Sequence, residues 1–340
     1  KKNMKLSDKL GLLLSVNKRI PIKDLEISAV RICPVRCEYC PQSSLIEASK
    51  GGINSKTLKF EDFKNYLLNI SMNTTLHWTG YSESLANRNF PEMVDYAFNL
   101  GYKQSISTTL SGHRRSVEYL YSTNAFKQIT LHLPDEDGLM TKGALKIDDN
   151  YIKTLREFFV NHHNLRGSMP VYIVCYGEKI NKSLQKVINE FQEKINIILT
   201  KTQSIHTRGG LVKNLPGFFK NAPGLKTTKS LIRYTVEFLL KIMNIELNIY
   251  RCSYFRLNQP VLMGDGDLYI CCMDYGLKCN TGNISDGNLN NIFSKWFLEN
   301  KKDFINGSLE PCTSCEYYNK IKIKDIIKYI YRKFKSKINS

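Results

Sequence analysis

The apolar and polar positions of this chain keep switching between two periods. Residues 25–30, 74–79, 103–109, 126–133, 170–176 and 195–200 are short runs of strand length, rich in β-branched and aromatic side chains. Between them, 60–72, 91–101, 114–122, 148–163 and 181–193 repeat their apolar residues at helical spacing. Strands that alternate with helices predict an α/β fold with a parallel sheet and right-handed crossovers. A further amphipathic helix is predicted at 6–18, where Leu6, Leu10, Leu13 and Leu14 follow Ser7 and Asp8. The Gly- and Pro-rich stretch 209–225 reads as a linker, and 227–245 as an apolar helix after it. Residues 261–263 and 268–270 flank Gly264-Asp265-Gly266-Asp267 and predict a β-hairpin, followed by a helix at 289–299.

Composition narrows the class. A chain of 340 residues can hold one large domain and a smaller one. No apolar run approaches the roughly 20 residues that span a bilayer. Residues 10–16 are too short for a secretion signal and lack a small-residue cleavage site. Ten cysteines without such a signal argue for metal or catalysis in a reducing, cytoplasmic compartment rather than for a disulfide framework. The net charge of +18 is scattered over the body with no nucleic-acid-binding motif, so no nucleic acid is expected as partner. Residues 320–340 differ: they carry eight Lys or Arg and one Asp, with Ile323, Ile327, Ile330 and Phe334 on one helical face. Such a tail can lie on an anionic membrane surface, contact an acidic partner, or remain a solvated terminal helix.

The chemistry concentrates in two groups of cysteines. Cys33, Cys37 and Cys40 fall within eight positions just after the first predicted strand. Structural zinc takes four ligands, and the nearest further cysteine is Cys175. A 4Fe–4S cluster is normally held by four thiolates, and three leave one iron open to a small molecule. A zinc knuckle and a redox Cys-x-x-Cys made by Cys37 and Cys40 are the other readings. At the end of the second strand, Gly80 permits close backbone approach and Glu83 supplies a carboxylate, which is also the make-up of an ordinary turn. Thr108, Thr109, His132 and Asp135 sit at the ends of the third and fourth strands, where substrate or ribose contacts and simple capping are both open. Arg208, near His206, follows the sixth strand and suits a carboxylate or phosphate. The second group, Cys252, Cys271, Cys272, Cys279, Cys312 and Cys315, comes from several elements, and spacing alone does not separate zinc from iron–sulfur.

With Tyr39 directly before the third thiol, the motif Cys33-x3-Cys37-x2-Cys40 resembles that of the radical S-adenosylmethionine (radical SAM) enzymes. The resemblance implies a partial (β/α)6 barrel over 25–208, open on one side. It implies that the open iron chelates S-adenosylmethionine (AdoMet), whose reductive cleavage gives a 5′-deoxyadenosyl radical that abstracts a substrate hydrogen. Tyr39 would contact the adenine. Gly80-Tyr81-Ser82-Glu83 stands where the family has a Gly-Gly-Glu-type motif for the methionine amino group, with Tyr81 and Ser84 as departures. Thr108, His132 and Arg208 would add cofactor contacts.

Residues 247–318 resemble the SPASM or twitch extension of the same enzymes, a small β-hairpin/α iron–sulfur domain. Gly266-x-x-Tyr269-x-Cys271 and Gly282-Asn283 match as they stand. The resemblance implies an auxiliary 4Fe–4S cluster on Cys252, Cys271, Cys312 and Cys315. No cysteine follows Cys315, so one auxiliary cluster is expected rather than two. Cys272 should face away from Cys271, Cys279 is an alternative ligand or a buried thiol, and Asp274 a turn residue or a base. The implied layout is an extension at 1–24, the barrel at 25–208, a linker and helix at 209–246, the auxiliary domain at 247–318 and the tail at 319–340. The expected activity is dehydrogenation or epimerisation of a small or carbohydrate substrate, with a flavodoxin or ferredoxin as electron donor. A peptide maturase is the alternative, and a zinc-stabilised nucleic-acid-binding protein the reading of another class.

Overall fold

The computed structural model describes residues 22–31, 33–49, 57–142, 144–167, 169–200, 208, 211–212, 250–252, 259–315 and 318–320. The helices expected at 6–18 and 227–245, most of the linker, His206 and the basic tail beyond Lys320 lie outside the described residues. Six strands, β1 (Asp24–Ile27), β2 (Thr75–Trp78), β3 (Gln104–Thr108), β4 (Phe126–His132), β5 (Val171–Val174) and β6 (Ile197–Thr200), stand side by side in chain order. Every neighbouring pair among them is parallel. They alternate with α1 (Gln42–Ala48), α2 (Phe60–Leu67), α3 (Phe90–Asn99), α4 (Arg114–Ser122), α5 (Asp149–Arg166) and α6 (Lys182–Phe191). This is the α/β partial-barrel architecture expected. The short helix α1, directly after the cysteine loop, was not foreseen.

The sheet continues past β1. Strand β7 (Tyr250–Cys252) lies apart from it, but β8 (Val261–Leu262) pairs in parallel with β1 and leads into β9 (Asp267–Tyr269) and β10 (Asn280–Asn283) by antiparallel pairing. The predicted hairpin therefore extends the barrel sheet, giving nine strands in the order β10-β9-β8-β1-β2-β3-β4-β5-β6. Helix α7 (Leu289–Asn306) runs further than expected and ends on Gly307 in the left-handed region. Strand β11 (Tyr318–Lys320) pairs with β7.

Alternation along the strands decides what each face does. Leu25 and Ile27, Leu76 and Trp78, Ile129 and Leu131, Val171 and Ile173 are all at most 1% exposed. Trp78 carries the packing outward: its ring meets Phe63 of α2 at 5.4 Å and Phe90 of α3 at 5.2 Å. Its indole N–H donates to Gln104 Oε1 (2.8 Å), and Gln104 in turn donates to the Val94 carbonyl of α3 (3.0 Å). Side-chain caps start the longer helices: Asp148 accepts from Tyr151 N at α5, Asn181 from Ser183 N at α6 and Asn288 from Asn290 N at α7. His162 and His163 suggested charges complementing the end of α5. His162 is instead fully buried, donating from Nε2 to the Met169 carbonyl (2.8 Å) and accepting from Arg166, and burial lowers its pKa. It is a neutral core residue. No helix among the described residues is long and apolar enough to cross a membrane.

Trp78→Ala should cost about 3–5 kcal/mol in urea unfolding, because it opens a cavity between sheet and helices and leaves Gln104 Oε1 without its donor. A loss under about 1 kcal/mol would contradict this packing.

Candidate functional site

All ten residues expected around the first cysteine group line one cavity of ≈ 400 Å³ at the carboxyl ends of the strands. Cys33, Cys37, Tyr39 and Cys40 come from the loop after β1. Gly80, Ser82 and Glu83 follow β2. Thr108 ends β3, His132 ends β4 and Arg208 lies beyond β6.

The cysteine loop is held by a residue that spacing did not point to. Gln42, 6% exposed in the first turn of α1, accepts from Cys33 N (3.2 Å) and donates to the Tyr81 carbonyl (2.7 Å). It thus ties the loop to the strand end that carries Gly80. Gly80 itself has φ +92°, and a Cβ there would stand 3.2 Å from Val261 Cγ1 and 3.4 Å from Ser28 Cβ. Only glycine fits that backbone without strain. Ser82 Oγ lies 2.9 Å from Ser28 Oγ.

Glu83 is buried, 4% exposed, and its carboxylate has four donors: Leu85 N, Thr108 Oγ1 (2.8 Å), Thr109 N (2.7 Å) and Thr109 Oγ1 (2.8 Å). It fastens the end of β2 to the end of β3. Burial raises its pKa and the Thr109, Thr108 and Leu85 donors partly offset that. Asp135 does not line the cavity; it caps a turn, accepting from Leu139 N and Met140 N.

Aromatic rings form another wall. Tyr39 packs on Tyr176 with centroids 4.7 Å apart, and His132 meets Tyr176 edge-on at 5.6 Å. Burial, aided by the Arg208 cation, pushes His132 down to about 4, so its imidazole is neutral at pH 7. Burial alone would lower the Arg208 guanidinium, but Tyr275 and the Cys40 thiol more than offset it and the side chain stays protonated. Arg208 lies 5.6 Å over the Tyr275 ring, and its Nε has no partner among the described residues. Its backbone is in the left-handed region at φ +48°.

The thiols divide in character. Burial pushes Cys33 up to about 12. Cys37 is raised by its hydrogen bond with Cys40 and by burial, while the same bond, Arg208 and Tyr275 favour the thiolate at Cys40. Among the described residues no three His, Cys, Asp or Glu side chains stand close enough to grip a single metal ion. A cubane gives each thiolate its own iron, so it would require Cys37 and Cys40, here within hydrogen-bond reach of each other, to move apart. Three loop thiols facing one cavity, a cation beside them and a glycine cradle fit a cubane with an open corner.

The second group gathers elsewhere. Cys312 interacts electrostatically with Cys279, Cys315 and Cys252, and Cys271 with Cys312. The four expected thiols are therefore neighbours, and Cys279 joins them, with its Sγ on the Glu310 carbonyl. Cys272 lines the first cavity beside Tyr275, but β9 ends at Tyr269, so the turn at 271–274 and not strand alternation sets its direction. Asp274 acts as a turn residue, accepting from Lys278 N (2.9 Å) and Cys279 N (2.7 Å). Tyr81 joins the two groups: its hydroxyl donates to the Cys271 carbonyl (2.9 Å), and its ring meets Tyr275, whose hydroxyl reaches Cys40 Sγ at 3.7 Å.

Among solved structures the chain is similar to SuiB of Streptococcus suis bound to precursor peptide SuiA, at 14% identity and TM-score 0.51, over 87% of this chain and 70% of that one. The likeness is one of fold. BtrN in complex with AdoMet and 2-DOIA matches at 14% identity and TM-score 0.48, over 88% of this chain and 94% of that one. AnSMEcpe with bound AdoMet matches at 15% identity and TM-score 0.45, over 86% of each chain. No family model matches the sequence, and no curated protein matches it.

Two consequences follow for stability. Glu83→Ala strands several buried donors and should cost about 2–4 kcal/mol in urea unfolding, with Glu83→Gln milder because it keeps an acceptor. The unfolded chain protonates His132 near pH 6.5 and the folded one only near 4, so stability falls as pH drops through that window. His132→Gln should remove that part of the slope, of order 1–3 kcal/mol between pH 6.5 and 4. An unchanged slope would contradict a neutral His132.

Proposed function

We propose that this chain is a radical SAM enzyme that abstracts hydrogen from a small, hydroxyl-bearing substrate, by dehydrogenation or epimerisation. The observation that carries the reading is the convergence of Cys33, Cys37 and Cys40 on one cavity with Gly80, Ser82 and Arg208. Cys33, Cys37 and Cys40 would hold a 4Fe–4S cluster, which would supply the electron for reductive cleavage of AdoMet. The chain's own residues then do the positioning. Gln42 fixes the loop against the Gly80 segment, whose backbone is open to the methionine end of the cofactor. Glu83, with donors supplied by Leu85, Thr108 and Thr109, sets the strand ends that frame this segment, and as the expected partner of the methionine amino group it would exchange one of the threonine hydroxyls for it. Tyr39, packed at a tilt against Tyr176, offers a ring for the adenine. The buried wall keeps water from the reacting atoms.

Cys252, Cys271, Cys312 and Cys315 would hold an auxiliary cluster that exchanges an electron with the substrate, and a flavodoxin or ferredoxin would reduce the first. The alternative of a peptide maturase is favoured by the fold likeness to SuiB, whose structure was solved with its precursor peptide. The basic tail is proposed as a contact for a membrane surface or acidic partner.

Anaerobic reconstitution should give a brown protein with about eight irons per chain, as two cubanes require, and dithionite should drive AdoMet to 5′-deoxyadenosine. Cys37→Ala should abolish that cleavage and remove about four irons. A colourless protein with stoichiometric zinc, or cleavage that survives Cys37→Ala, would refute the reading.

A further inference from the structure

Away from the cysteine loop the cavity continues into the barrel lumen, and its lining there is polar. Glu26 on β1, His77 on β2, Ser105 on β3, and Gln128 and Thr130 on β4 all border it. Strand register puts them together: Glu26 stands opposite His77, His77 opposite Ser105 and Ser105 opposite Gln128. The same parity on four adjacent strands therefore faces inward, while the other parity builds the apolar layer under the helices. In a closed barrel of this kind the interior is filled by bulky branched side chains. Here it is left open and lined by hydrogen-bonding groups.

Three of these groups are joined in a chain. Asp24 Oδ1 lies 2.7 Å from His77 Nε2, and Ser105 Oγ lies 2.5 Å from His77 Nδ1. A carboxylate can only accept, so Nε2 carries a proton, and in the neutral imidazole Nδ1 then accepts from the Ser105 hydroxyl. Ser105 is buried, 8% exposed, whereas the Asp24 side chain is 43% exposed. The chain of hydrogen bonds thus leads from the buried Ser105 to the half-exposed Asp24.

We propose that the lumen binds a small polyhydroxylated substrate and that Ser105, His77 and Asp24 carry the proton of one substrate hydroxyl out to solvent. The proposal rests on the hydrogen-abstraction reading above and names its substrate class. An apolar substrate would return no hydrogen bonds to the remaining acceptor sites of Ser105, Gln128 and Thr130 that line the lumen, which costs roughly 1–3 kcal/mol for each group left unmatched. A hydroxylated ring returns them. Loss of a hydrogen atom from a carbinol carbon makes its hydroxyl more acidic. As that O–H breaks, its proton passes to Ser105 Oγ and the Ser105 proton passes to His77 Nδ1, the substrate oxygen keeping the electron pair. The imidazolium is held by Asp24 through Nε2–H and is returned to neutral by proton release to water at Asp24. Arg208, lining the same cavity, favours the negative charge left on the substrate oxygen.

The test uses the reconstituted enzyme with AdoMet bound. It is titrated calorimetrically with myo-inositol, D-glucosamine, cyclohexanol and a short Ser-containing peptide. At least one of the two polyols should bind at millimolar Kd or tighter, with cyclohexanol and the peptide at least tenfold weaker and Ser105→Ala about tenfold weaker for the polyol. With that polyol as substrate, His77→Gln should lower the ratio of altered polyol to 5′-deoxyadenosine by about a hundredfold, the scale of a lost general base. A merely structural histidine would lower both products in proportion. Three results overturn the proposal: neither polyol binds better than cyclohexanol or the peptide, the wild type binds a polyol and leaves it unaltered, or the ratio in His77→Gln stays as in the wild type. Formation of 5′-deoxyadenosine by the wild type without any polyol judges the underlying reading separately. If it occurs while the polyol results fail, only the lumen proposal falls.

Discussion

The constraint behind everything else is the two-residue period of a parallel strand. One parity on β1 to β5 supplies the apolar layer under the helices, with Leu25, Ile27, Leu76, Trp78, Ile129, Leu131, Val171 and Ile173 almost wholly buried. Because that layer supplies most of the strands' core packing, much of the other parity is released from it. It can hold Glu26, His77, Ser105, Gln128 and Thr130 facing a cavity. A slip of one residue in any pairing would exchange the two sets and bury charge in the helix layer. Fold and chemistry are thus one decision about register.

That decision also explains where the residues proposed for the cofactor lie. Parallel strands bring all their carboxyl ends to one rim, so the loops after β1, β2, β3, β4 and β6 meet although their residues are spread from Cys33 to Arg208. The rim is held by side chains rather than by pairing, since the strands have ended. Gln42 joins the first loop to the second, Glu83 the second to the third, and Asn87 reaches back to the carbonyls of Ala29 and Leu58. Each is nearly water-free, at 6%, 4% and 2% exposed, so these bonds are not weakened by competition with solvent.

How much of this was legible in the sequence depended on range. The three loop cysteines and Gly80 announced themselves because their meaning lies in spacing over a few residues. The strands and helices were legible for the same reason, with ends misjudged by a few residues where capping or packing decided them. Gln42 was passed over, since a lone glutamine carries no pattern and its role depends on Tyr81, 39 positions away. The Asp24–His77–Ser105 chain was equally invisible. It exists only across the registers β1–β2 and β2–β3, which the sequence does not print. Cys279 could be counted but not placed, and its approach to Cys312 needs the turn capped by Asp274.

Tyr81 shows what such long-range placement achieves. At the position where the Gly-x-x-Glu stretch departs most from the expected motif, a bulky side chain is accommodated because it points away from Gly80 toward the C-terminal segment. There it is 2% exposed, bonded to the Cys271 carbonyl and packed on Tyr275. Its own carbonyl is meanwhile held by Gln42. One residue therefore has its backbone fixed to the first cysteine loop and its side chain fixed to the second cysteine group. The hairpin β8–β9 reinforces this, pairing directly with β1, the strand that delivers the first loop. The segment bearing Cys271 follows a strand of the sheet that carries the first cysteine loop, and the two share Tyr81, so a shift at either is transmitted to the other through packed, buried contacts.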